Sequence, residues 1–222
     1  MPLASPPGLT EGDDVVEEIV ALRDRSLNVV RPRDAEALLH DEAFEHEEYL
    51  PYWAELWPSG LALARRVSAR ALRGARTVEL GCGLGLPSVA AALAGARVLA
   101  TDWSPEALPF VIENARRNDA EVEVALGVWE SPGPLLARAP FDLVLAADVL
   151  YERRNVPALL DLLPRLVTPR GEVWIADPGR PPAPDFLAAA VKHFSVASVA
   201  DAQRPMVMHH TLRALAPGRR GS

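Results

Sequence analysis

The sequence predicts an α/β domain in which helices cover both faces of a doubly wound, mostly parallel sheet. Three observations support this fold class. A strand, a glycine turn and the beginning of a helix follow one another at 77–88. Strands and helices then alternate along the chain, which is typical of three αβα layers. The segment Phe141–Ala147 is an almost unbroken apolar run, as expected for a parallel strand that is buried on both faces.

A glycine turn stands at the centre of this pattern. The apolar strand at 78–80 is followed by Gly81, Gly83 and Gly85, and Pro87 comes shortly after them. Glycine has no Cβ, so it permits a sharp turn and the close approach of a ligand. Proline suits the first turn of a helix, where a missing N–H costs nothing. A strand, a glycine turn and a helix N-terminus together predict a nucleotide-binding site.

The spacing of the glycines bears on which nucleotide binds. The dinucleotide fingerprint G-x-G-x-x-G would need a glycine where Leu86 stands, and the chain has no phosphate-loop motif. Glu79, two residues before the first glycine, would lie poorly beside a pyrophosphate but suits a positively charged ligand. S-adenosylmethionine carries an α-amino group and a sulfonium and no phosphate. The turn alone favours S-adenosylmethionine, with a dinucleotide as the alternative.

Residues 1–49 form an acidic arm ahead of the predicted domain. They hold thirteen acidic residues and four arginines, in a chain whose net charge is −7. We expect a disordered start, a helix at 15–27, a short strand at 27–31 and an exposed helix at 34–49. The charge is typical of a solvated helix face, and it could also attract a basic partner.

The domain itself is expected at 50–216, with a disordered tail at 217–222. Its helices have apolar residues at helical spacing and are predicted at 61–72, 88–94, 105–118, 156–167 and 186–192. Its strands after the glycine turn are predicted at 97–101, Val122–Leu126, Phe141–Ala147, 172–176, 194–199 and 207–215. The last two strands are joined without a helix, which predicts an antiparallel edge. With the strand before the glycine turn, they make a sheet of seven strands.

Composition excludes several classes of protein. The only cysteine, Cys82, rules out a disulfide within the chain and a cysteine-based metal cluster, and the histidines lack metal-ligand spacing. No apolar run reaches the roughly 18 residues that a membrane span needs. An acidic chain disfavours tight binding to nucleic acid, which requires basic residues that neutralise phosphates. Because the start of the sequence has no signal-peptide pattern, we expect a cytoplasmic protein with no bound metal.

Polar side chains follow the predicted strands, at the edge where such sheets bind ligands. Asp102 ends the second strand, where a carboxylate can accept both hydroxyls of an adenosine ribose or can simply lie near a helix N-terminus. Trp129, after the third strand, offers a flat face to adenine or a contact to the core. Asp148 and Tyr151 close the fourth strand, where reaction chemistry is expected, although Asp148 could instead cap the next helix.

Two further segments could meet a substrate. The stretch ahead of the first helix of the domain contains Tyr52, Trp53 and Trp57 between prolines, in a chain with 6% aromatic residues. These rings form either an aromatic wall of the ligand pocket or a seam between the arm and the core. The loop after the fifth strand carries Asp177 and Arg180 among prolines and a glycine. There they are available to a substrate or to each other.

These motifs together resemble the class I S-adenosylmethionine-dependent methyltransferases, whose fold is a Rossmann-like sheet of seven strands. More closely, residues 50–215 resemble the protein-lysine methyltransferases grouped as methyltransferase family 16. The motifs that carry the resemblance are Trp57-Pro-Ser, Val78-Glu-Leu-Gly-Cys-Gly-Leu-Gly, Thr101-Asp102-Trp, Trp129 and Ala147-Asp148-Val-Leu-Tyr151. The stretches around Trp57 and Asp177 look most like the branch that methylates lysines in the β-subunit of electron transfer flavoprotein.

The glycine turn and the resemblance together imply roles for individual residues. The residues predicted to bind the cofactor are Trp57, Glu79, Gly81, Cys82, Gly83, Gly85, Asp102, Trp103, Trp129 and Ala147. Asp148 and Tyr151 would form the Asp-x-x-Tyr element that activity requires. The substrate is expected to meet Tyr52, Trp53, Asp177 and Arg180.

The expected activity is methyl transfer from S-adenosylmethionine to a protein amine, most simply that of a lysine. The acceptor would be the β-subunit of electron transfer flavoprotein or a ribosomal protein. A carboxylate at the pocket mouth, Asp148, would position the ammonium and accept or relay its proton. A small-molecule amine or an RNA is the alternative acceptor. The alternative to an enzyme is a cofactor-binding module whose acidic arm holds a partner.

Overall fold

The computed structural model describes residue 9 and residues 14–35 and 51–215. Its strands are β1 (Val15–Ala21), β2 (Ser26–Pro32), β3 (Arg76–Leu80), β4 (Arg97–Asp102), β5 (Val122–Leu126), β6 (Phe141–Ala147), β7 (Val167–Asp177), β8 (Phe194–Ala200) and β9 (Met208–Ala214). Its helices are α1 (Pro58–Ser68), α2 (Leu86–Leu93), α3 (Ala107–Arg117), α4 (Gly133–Leu136), α5 (Asn155–Leu166) and α6 (Ala183–Ala190), preceded by a 3-10 turn at Tyr52–Ala54.

Strands β3 to β9 form a seven-stranded sheet in the order β5-β4-β3-β6-β7-β9-β8. Strand β9 runs antiparallel to both of its neighbours, and the other pairs are parallel. The predicted sheet of seven mostly parallel strands with an antiparallel last strand is therefore confirmed. The chain passes from β5 at one edge back to β6 on the far side of β3, so the strand order reverses there. Sheets of this kind bind ligands in the crevice at such a reversal, beyond the carboxyl ends of the strands.

Helices on both faces of the sheet complete the three predicted layers. Leu143 and Leu145 of β6 belong to a core that includes α1 and α2, whereas Val144 belongs to a core that includes α5 and α6. Successive side chains of a strand lie on opposite faces, so a strand covered on both faces must be apolar throughout. The apolar run at 143–147 thus follows from the central place of β6 between β3 and β7, and the one charged residue of the strand, Asp142, is exposed near its beginning.

The predicted helix at 15–27 is wrong, because β1 and β2 pair there as an antiparallel hairpin. Val20 of β1 lies opposite Leu27 of β2. Four of the seven residues of β1 are valine or isoleucine, and such β-branched side chains favour strands. The composition of this segment therefore indicated a strand, but its apolar residues also fit the spacing of a helix. The short strand predicted at 27–31 is confirmed as β2.

Asn114 on α3 and Asn118, which directly follows this helix, attach the hairpin to the domain. Asn114 Oδ1 accepts the N–H of Val30 at 2.7 Å, and its Nδ2 donates to the carbonyl of Val30 at 3.1 Å. Asn118 pairs in the same way with Asn28, at 2.9 and 2.7 Å. The two amides therefore satisfy the outer edge of β2 much as a neighbouring strand would. Asn114 Nδ2 also donates to the carbonyl of Leu84 in the glycine turn at 3.0 Å.

Several element boundaries differ from the prediction, and at α3 the reason is local. Helix α3 begins at Ala107 rather than 105, and Ser104 does not cap it. The N–H of Ser104 is held by Asp102, and its hydroxyl donates to Glu106. Strand β7 begins well before the predicted residue 172, directly after α5 ends.

Some predictions concern parts of the chain that the structure does not describe. Of the predicted helix at 34–49, only residues 34 and 35 are described, and the tail at 217–222 lies wholly outside the described residues. Of the start of the chain, which the sequence predicted to be disordered, the structure describes residue 9 alone. The predicted domain boundaries therefore stay predictions.

Candidate active site

A cavity of about 570 Å³ opens at the carboxyl ends of β3, β4 and β6. Almost every residue that the sequence predicted for the site lines this cavity. Those that line it are Tyr52, Trp53, Trp57, Glu79, Gly81, Cys82, Gly83, Gly85, Asp102, Trp103, Trp129, Ala147, Asp148, Tyr151 and Arg180. Asp177 is the nominated residue that does not line it.

The glycine turn forms the floor of the cavity with a left-handed backbone. Gly81, Gly83 and Gly85 have φ values of +64°, +50° and +76°, which side chains with a Cβ rarely adopt. A Cβ on Gly85 would lie 2.7 Å from a methyl carbon of Val111 on α3. A Cβ on Gly83 would lie 3.1 Å from the carbonyl oxygen of Trp53. At these two positions glycine is required by the packing of the protein around the turn as well as by the backbone conformation.

Asp102 ties the end of β4 to the glycine turn. Its Oδ2 accepts the N–H of Gly83 at 2.8 Å, and its Oδ1 accepts the N–H of Ser104 at 3.0 Å. The carboxyl group is 4% exposed, and this burial raises its pKa although the backbone hydrogen bonds oppose the shift. A carboxylate offers about four lone-pair sites, so Asp102 can accept hydroxyl groups from a ligand while it keeps both backbone partners.

Glu79 is a buried acid at the base of the same cavity. Ser88, at the beginning of α2, donates to Glu79 Oε2 with its N–H at 2.9 Å and also with its hydroxyl. Burial raises the pKa of Glu79 to about 8, against the effect of the Ser88 hydrogen bonds. A cationic ligand group beside Glu79 would favour its charged form. Burial also raises the pKa of the Cys82 thiol, which suits a packing residue better than a nucleophile.

Asp148 is the most constrained polar residue of the cavity. Its φ is +57°, and its side chain is almost fully buried. Arg180 Nε donates to Asp148 Oδ1 at 2.7 Å, and Asp148 Oδ2 is buried without a hydrogen-bond partner. Helix α5 begins only at Asn155, so Asp148 does not cap it. A strained backbone and an unsatisfied buried oxygen are features that cluster at functional sites.

Three aromatic rings stand around this ion pair. The ring of Tyr52 lies 5.7 Å from that of Tyr151 and 6.1 Å from that of Trp57. The indole N–H of Trp57 donates to the carbonyl of Tyr52 at 2.6 Å, which fixes the 3-10 turn against α1. The guanidinium of Arg180 lies 5.6 Å from the centre of the Trp57 ring. The predicted aromatic wall is therefore assembled beside Asp148.

Trp53 and Trp129 combine the two roles that the sequence left open. The ring of Trp53 packs against Phe110 of α3 at 5.3 Å, while the residue also borders the cavity. Trp129 packs against the core that includes α5 and α6, and its ring lies 3.7 Å from where a Cβ on Gly81 would be. Each tryptophan thus joins the hydrophobic core and a wall of the cavity.

Asp177 was predicted to meet a substrate, but it does not line the cavity. It is 1% exposed, and its Oδ1 accepts the N–H groups of Gly179 and Arg180 at 2.7 and 2.8 Å. Burial raises the pKa of Asp177, against the effect of these two hydrogen bonds. The expected pair between Asp177 and Arg180 therefore involves the backbone of Arg180. The guanidinium reaches Asp148 instead.

Sequence reasoning did not nominate two residues that shape the cavity. Asn155 is almost fully buried and donates from Nδ2 to the carbonyl of Val149 at 2.9 Å, which holds the turn after Asp148. A Cβ on Gly127 would lie 2.8 Å from the Cβ of Thr101, so only glycine fits there. The available signals were a polar residue shortly after Asp-x-x-Tyr and a glycine directly after β5.

The described residues contain neither a metal-ligand cluster nor a helix that could span a membrane. No cluster of histidine, cysteine and carboxylate side chains there could hold a metal ion. None of the helices in the described ranges is long and apolar enough to cross a bilayer.

The fold recurs in methyltransferases of known structure. The 16S rRNA N2 G1207 methyltransferase RsmC of T. thermophilus, solved with AdoMet and guanosine, superposes with a TM-score of 0.66 at 14% identity, over 93% of this chain and 52% of that one. A TehB-like SAM-dependent methyltransferase of Corynebacterium glutamicum superposes with a TM-score of 0.57 at 20% identity, over 78% of this chain and 97% of that one. At these identities the likeness establishes the fold, which is the Rossmann-like fold of such methyltransferases.

Sequence comparison gives the family. The family described as "Lysine methyltransferase" matches residues 46–189, which is more than half of the chain. The chain therefore belongs to this lysine methyltransferase family. The matched range contains the glycine turn, Asp102, Asp148, Tyr151 and Arg180, and it leaves out the hairpin of β1 and β2.

Individual relatives agree with this assignment. The electron transfer flavoprotein beta subunit lysine methyltransferase of Xenopus laevis is 34% identical over 139 residues, 59% of this chain and 53% of that protein. The human protein of the same name is 32% identical over 154 residues, 64% of this chain and 54% of that protein. Protein N-lysine methyltransferase METTL21A of Danio rerio is 39% identical over 100 residues, 43% of this chain and 45% of that protein. The chain spans about half the length of these curated relatives.

Proposed function

We propose that this protein transfers a methyl group from S-adenosylmethionine to the side-chain amine of a protein lysine. The observation that carries the proposal is the position of Asp148. Asp148 lines the same cavity as the glycine turn and Asp102, beside the aromatic wall, and its Oδ2 is buried without a partner. A carboxylate suited to a cation and a turn suited to a nucleoside therefore border one cavity.

The residues of the cavity fit S-adenosylmethionine. Asp102 has acceptor capacity for ribose hydroxyls, and Gly81 and Gly83 leave the floor open for close approach. Glu79 is a buried acid that a ligand amino group would ionise, and Trp129 offers an aromatic face. We infer that these residues, with Trp57, Cys82, Gly85, Trp103 and Ala147, hold the cofactor. When bound, S-adenosylmethionine supplies an activated methyl group on a sulfonium that is already a good leaving group.

The protein's own part is to hold the acceptor amine and manage its proton. A lysine amine has an ordinary pKa of about 10.4, so it arrives as an ammonium and must lose a proton before it attacks. Asp148 Oδ2 would bind that ammonium and accept or relay the proton. The rings of Tyr52, Trp57 and Tyr151 would surround the amine in the cavity. They would attract its positive charge through cation–π contacts and would exclude water. Burial raises the pKa of Tyr151 to about 12, so its hydroxyl stays protonated at neutral pH.

The relatives suggest which acceptor to test first. Several are named for the beta subunit of electron transfer flavoprotein, so we propose this subunit as the first candidate. A ribosomal protein is the second protein acceptor to test. We propose a cytoplasmic location for the reaction, which fractionation of the source cells would check.

An acceptor screen tests the proposed class of substrate. The purified protein is incubated with methyl-labelled S-adenosylmethionine and a cell lysate, and the label is followed in separated proteins, RNA and small molecules. Label on protein that Asp148→Asn removes supports the proposal. Label only in RNA or small molecules contradicts protein methylation, and label nowhere contradicts an enzyme and favours a cofactor-binding module.

A further inference from the structure

We propose that Arg180 is a positioning residue that acts through Asp148: it occupies one carboxylate oxygen, directs the acceptor amine to the other, and promotes release of the amine's proton. The inference rests on the proposed methyl transfer and goes beyond it. It assigns Arg180 to proton management, whereas the sequence had suggested a contact to the substrate or a pair with Asp177.

The geometry of the carboxylate supports this assignment. Arg180 Nε holds Asp148 Oδ1 at 2.7 Å, whereas Oδ2 is buried and has no partner. A buried carboxylate oxygen without a donor is costly, and such atoms call for an explanation by function. The incoming ammonium of a substrate would supply the missing donor. Because Oδ1 already accepts a charged hydrogen bond and Oδ2 has no donor, Oδ2 is the favoured partner of the ammonium, which defines its position.

The loop that carries Arg180 is built to deliver it. Asp177 fixes the backbone N–H groups of Gly179 and Arg180, and Pro181 and Pro182 follow directly. Gly179 has a φ of +85°, so the loop turns sharply just before Arg180. Proline fixes its own φ and restricts the residue before it, which here is Arg180. The base of the loop is held in this way, and from it the guanidinium reaches Asp148, directly after β6.

The charge of Arg180 gives the pairing a chemical consequence. A carboxylate alone would stabilise the ammonium and so oppose loss of its proton. A carboxylate already paired with a guanidinium is close to neutral as a unit, and the guanidinium repels a second positive charge. The amine should therefore lose its proton at lower pH when Arg180 is present. Arginine suits this task because it stays charged at any working pH.

Other charged and titratable groups near the pair must be weighed with Arg180. Asp177 and Tyr52 interact electrostatically with its guanidinium, and Trp57 lies under it. The titratable groups that share the cavity wall with Asp148 and Arg180 are Tyr52, Glu55, Glu79, Cys82, Asp102, Glu130, Tyr151, Glu152 and Arg154. Arg180 forms a charged hydrogen bond to Asp148.

The test compares Arg180→Met with Arg180→Lys. For each, kcat and KM are measured against pH on the acceptor that the wild-type protein methylates, and cofactor affinity and thermal unfolding are recorded as controls. We expect Arg180→Met to retain cofactor affinity and folding while its kcat profile moves to higher pH. At pH 7 its kcat should fall about tenfold for each pH unit by which the profile is shifted. Arg180→Lys, which keeps the charge, should recover most of the lost kcat.

Failure of this inference can be told apart from failure of the proposed methyl transfer. An unmoved pH profile in Arg180→Met, or a change confined to KM, overturns the role of Arg180 while methyl transfer by the wild-type protein still stands. If the wild-type protein methylates no acceptor, the proposed function is overturned first and this inference with it.

Discussion

The carboxylate of Glu79 at the end of β3 accepts both the N–H and the hydroxyl of Ser88 at the beginning of α2. The pair joins the strand to the helix across the glycine turn. It is fully buried, and burial raises the pKa of Glu79 from 4.5 to about 8. Between these values the folded protein keeps a proton that the unfolded chain has already released.

This proton makes stability depend on pH. Because the folded state binds the extra proton, the stabilisation from Glu79 is complete below about pH 4.5 and is lost as the pH rises towards 8. We expect Glu79→Gln to reduce the slope of unfolding free energy against pH in that range, by up to roughly 1.4 kcal/mol per pH unit. Urea unfolding at a series of pH values measures this slope for both proteins. Identical slopes in the two proteins would show that Glu79 is ionised at neutral pH.

Asp102 should control cofactor affinity. Asp102→Ala removes the acceptor for the N–H of Gly83 and the proposed acceptor for ribose hydroxyls, so we expect much weaker binding of S-adenosylmethionine by calorimetry. Asp102→Asn keeps one acceptor oxygen and serves as the matched control, with an intermediate loss. An unchanged dissociation constant in Asp102→Ala would remove the ribose assignment.

Asp148 should separate catalysis from cofactor binding. Asp148→Asn keeps a side chain that tolerates the left-handed backbone at φ +57°, but it loses the charge. We expect it to bind S-adenosylmethionine normally and to transfer no methyl group. Asp148→Ala should also be inactive and, in addition, less stable by about 1–2 kcal/mol because alanine is strained there. Normal turnover in the asparagine variant would refute the role of Asp148.

Asn114 should couple the hairpin to the cofactor site. Asn114→Ala and Asn118→Ala each remove the pairing of one amide with β2, so each should lower the unfolding free energy by about 1–3 kcal/mol. Asn114 alone of the two also holds the carbonyl of Leu84 in the glycine turn. We therefore expect weaker binding of S-adenosylmethionine in Asn114→Ala than in Asn118→Ala. Equal affinities would show that the glycine turn is independent of Asn114.

The sequence predicted the central sheet and the edge where the site lies, since both depend on local patterns. An apolar run shows that a strand is buried on both faces, and a glycine turn between strand and helix is visible within a dozen residues. The hairpin was missed because the valines and isoleucine of β1 fit helical spacing as well as a strand. The hydrogen bonds that hold strand β2 against the domain come from Asn114 and Asn118, which are 84 and 90 residues away in the sequence.

The pairings within the site could not be predicted in the same way. Asp177 and Arg180 are neighbours in sequence, so a side-chain pair between them was a natural expectation. In the structure Asp177 binds the loop backbone, and the guanidinium reaches Asp148, which directly follows strand β6. Residue types locate the acids and bases of a site, but partners far apart in the chain are selected by the packing of the strands.

The central claim is that this cavity methylates a protein lysine with Asp148 at the reacting end. Mass spectrometry tests it most directly, on electron transfer flavoprotein β-subunit incubated with S-adenosylmethionine and either the wild-type protein or Asp148→Asn. The structure predicts methyl groups on lysine side chains with the wild-type protein and none with the variant. If that subunit is not methylated, the proteins labelled in the lysate screen are analysed in the same way. Methylation at other side chains only, or equal lysine methylation by both proteins, would contradict the claim.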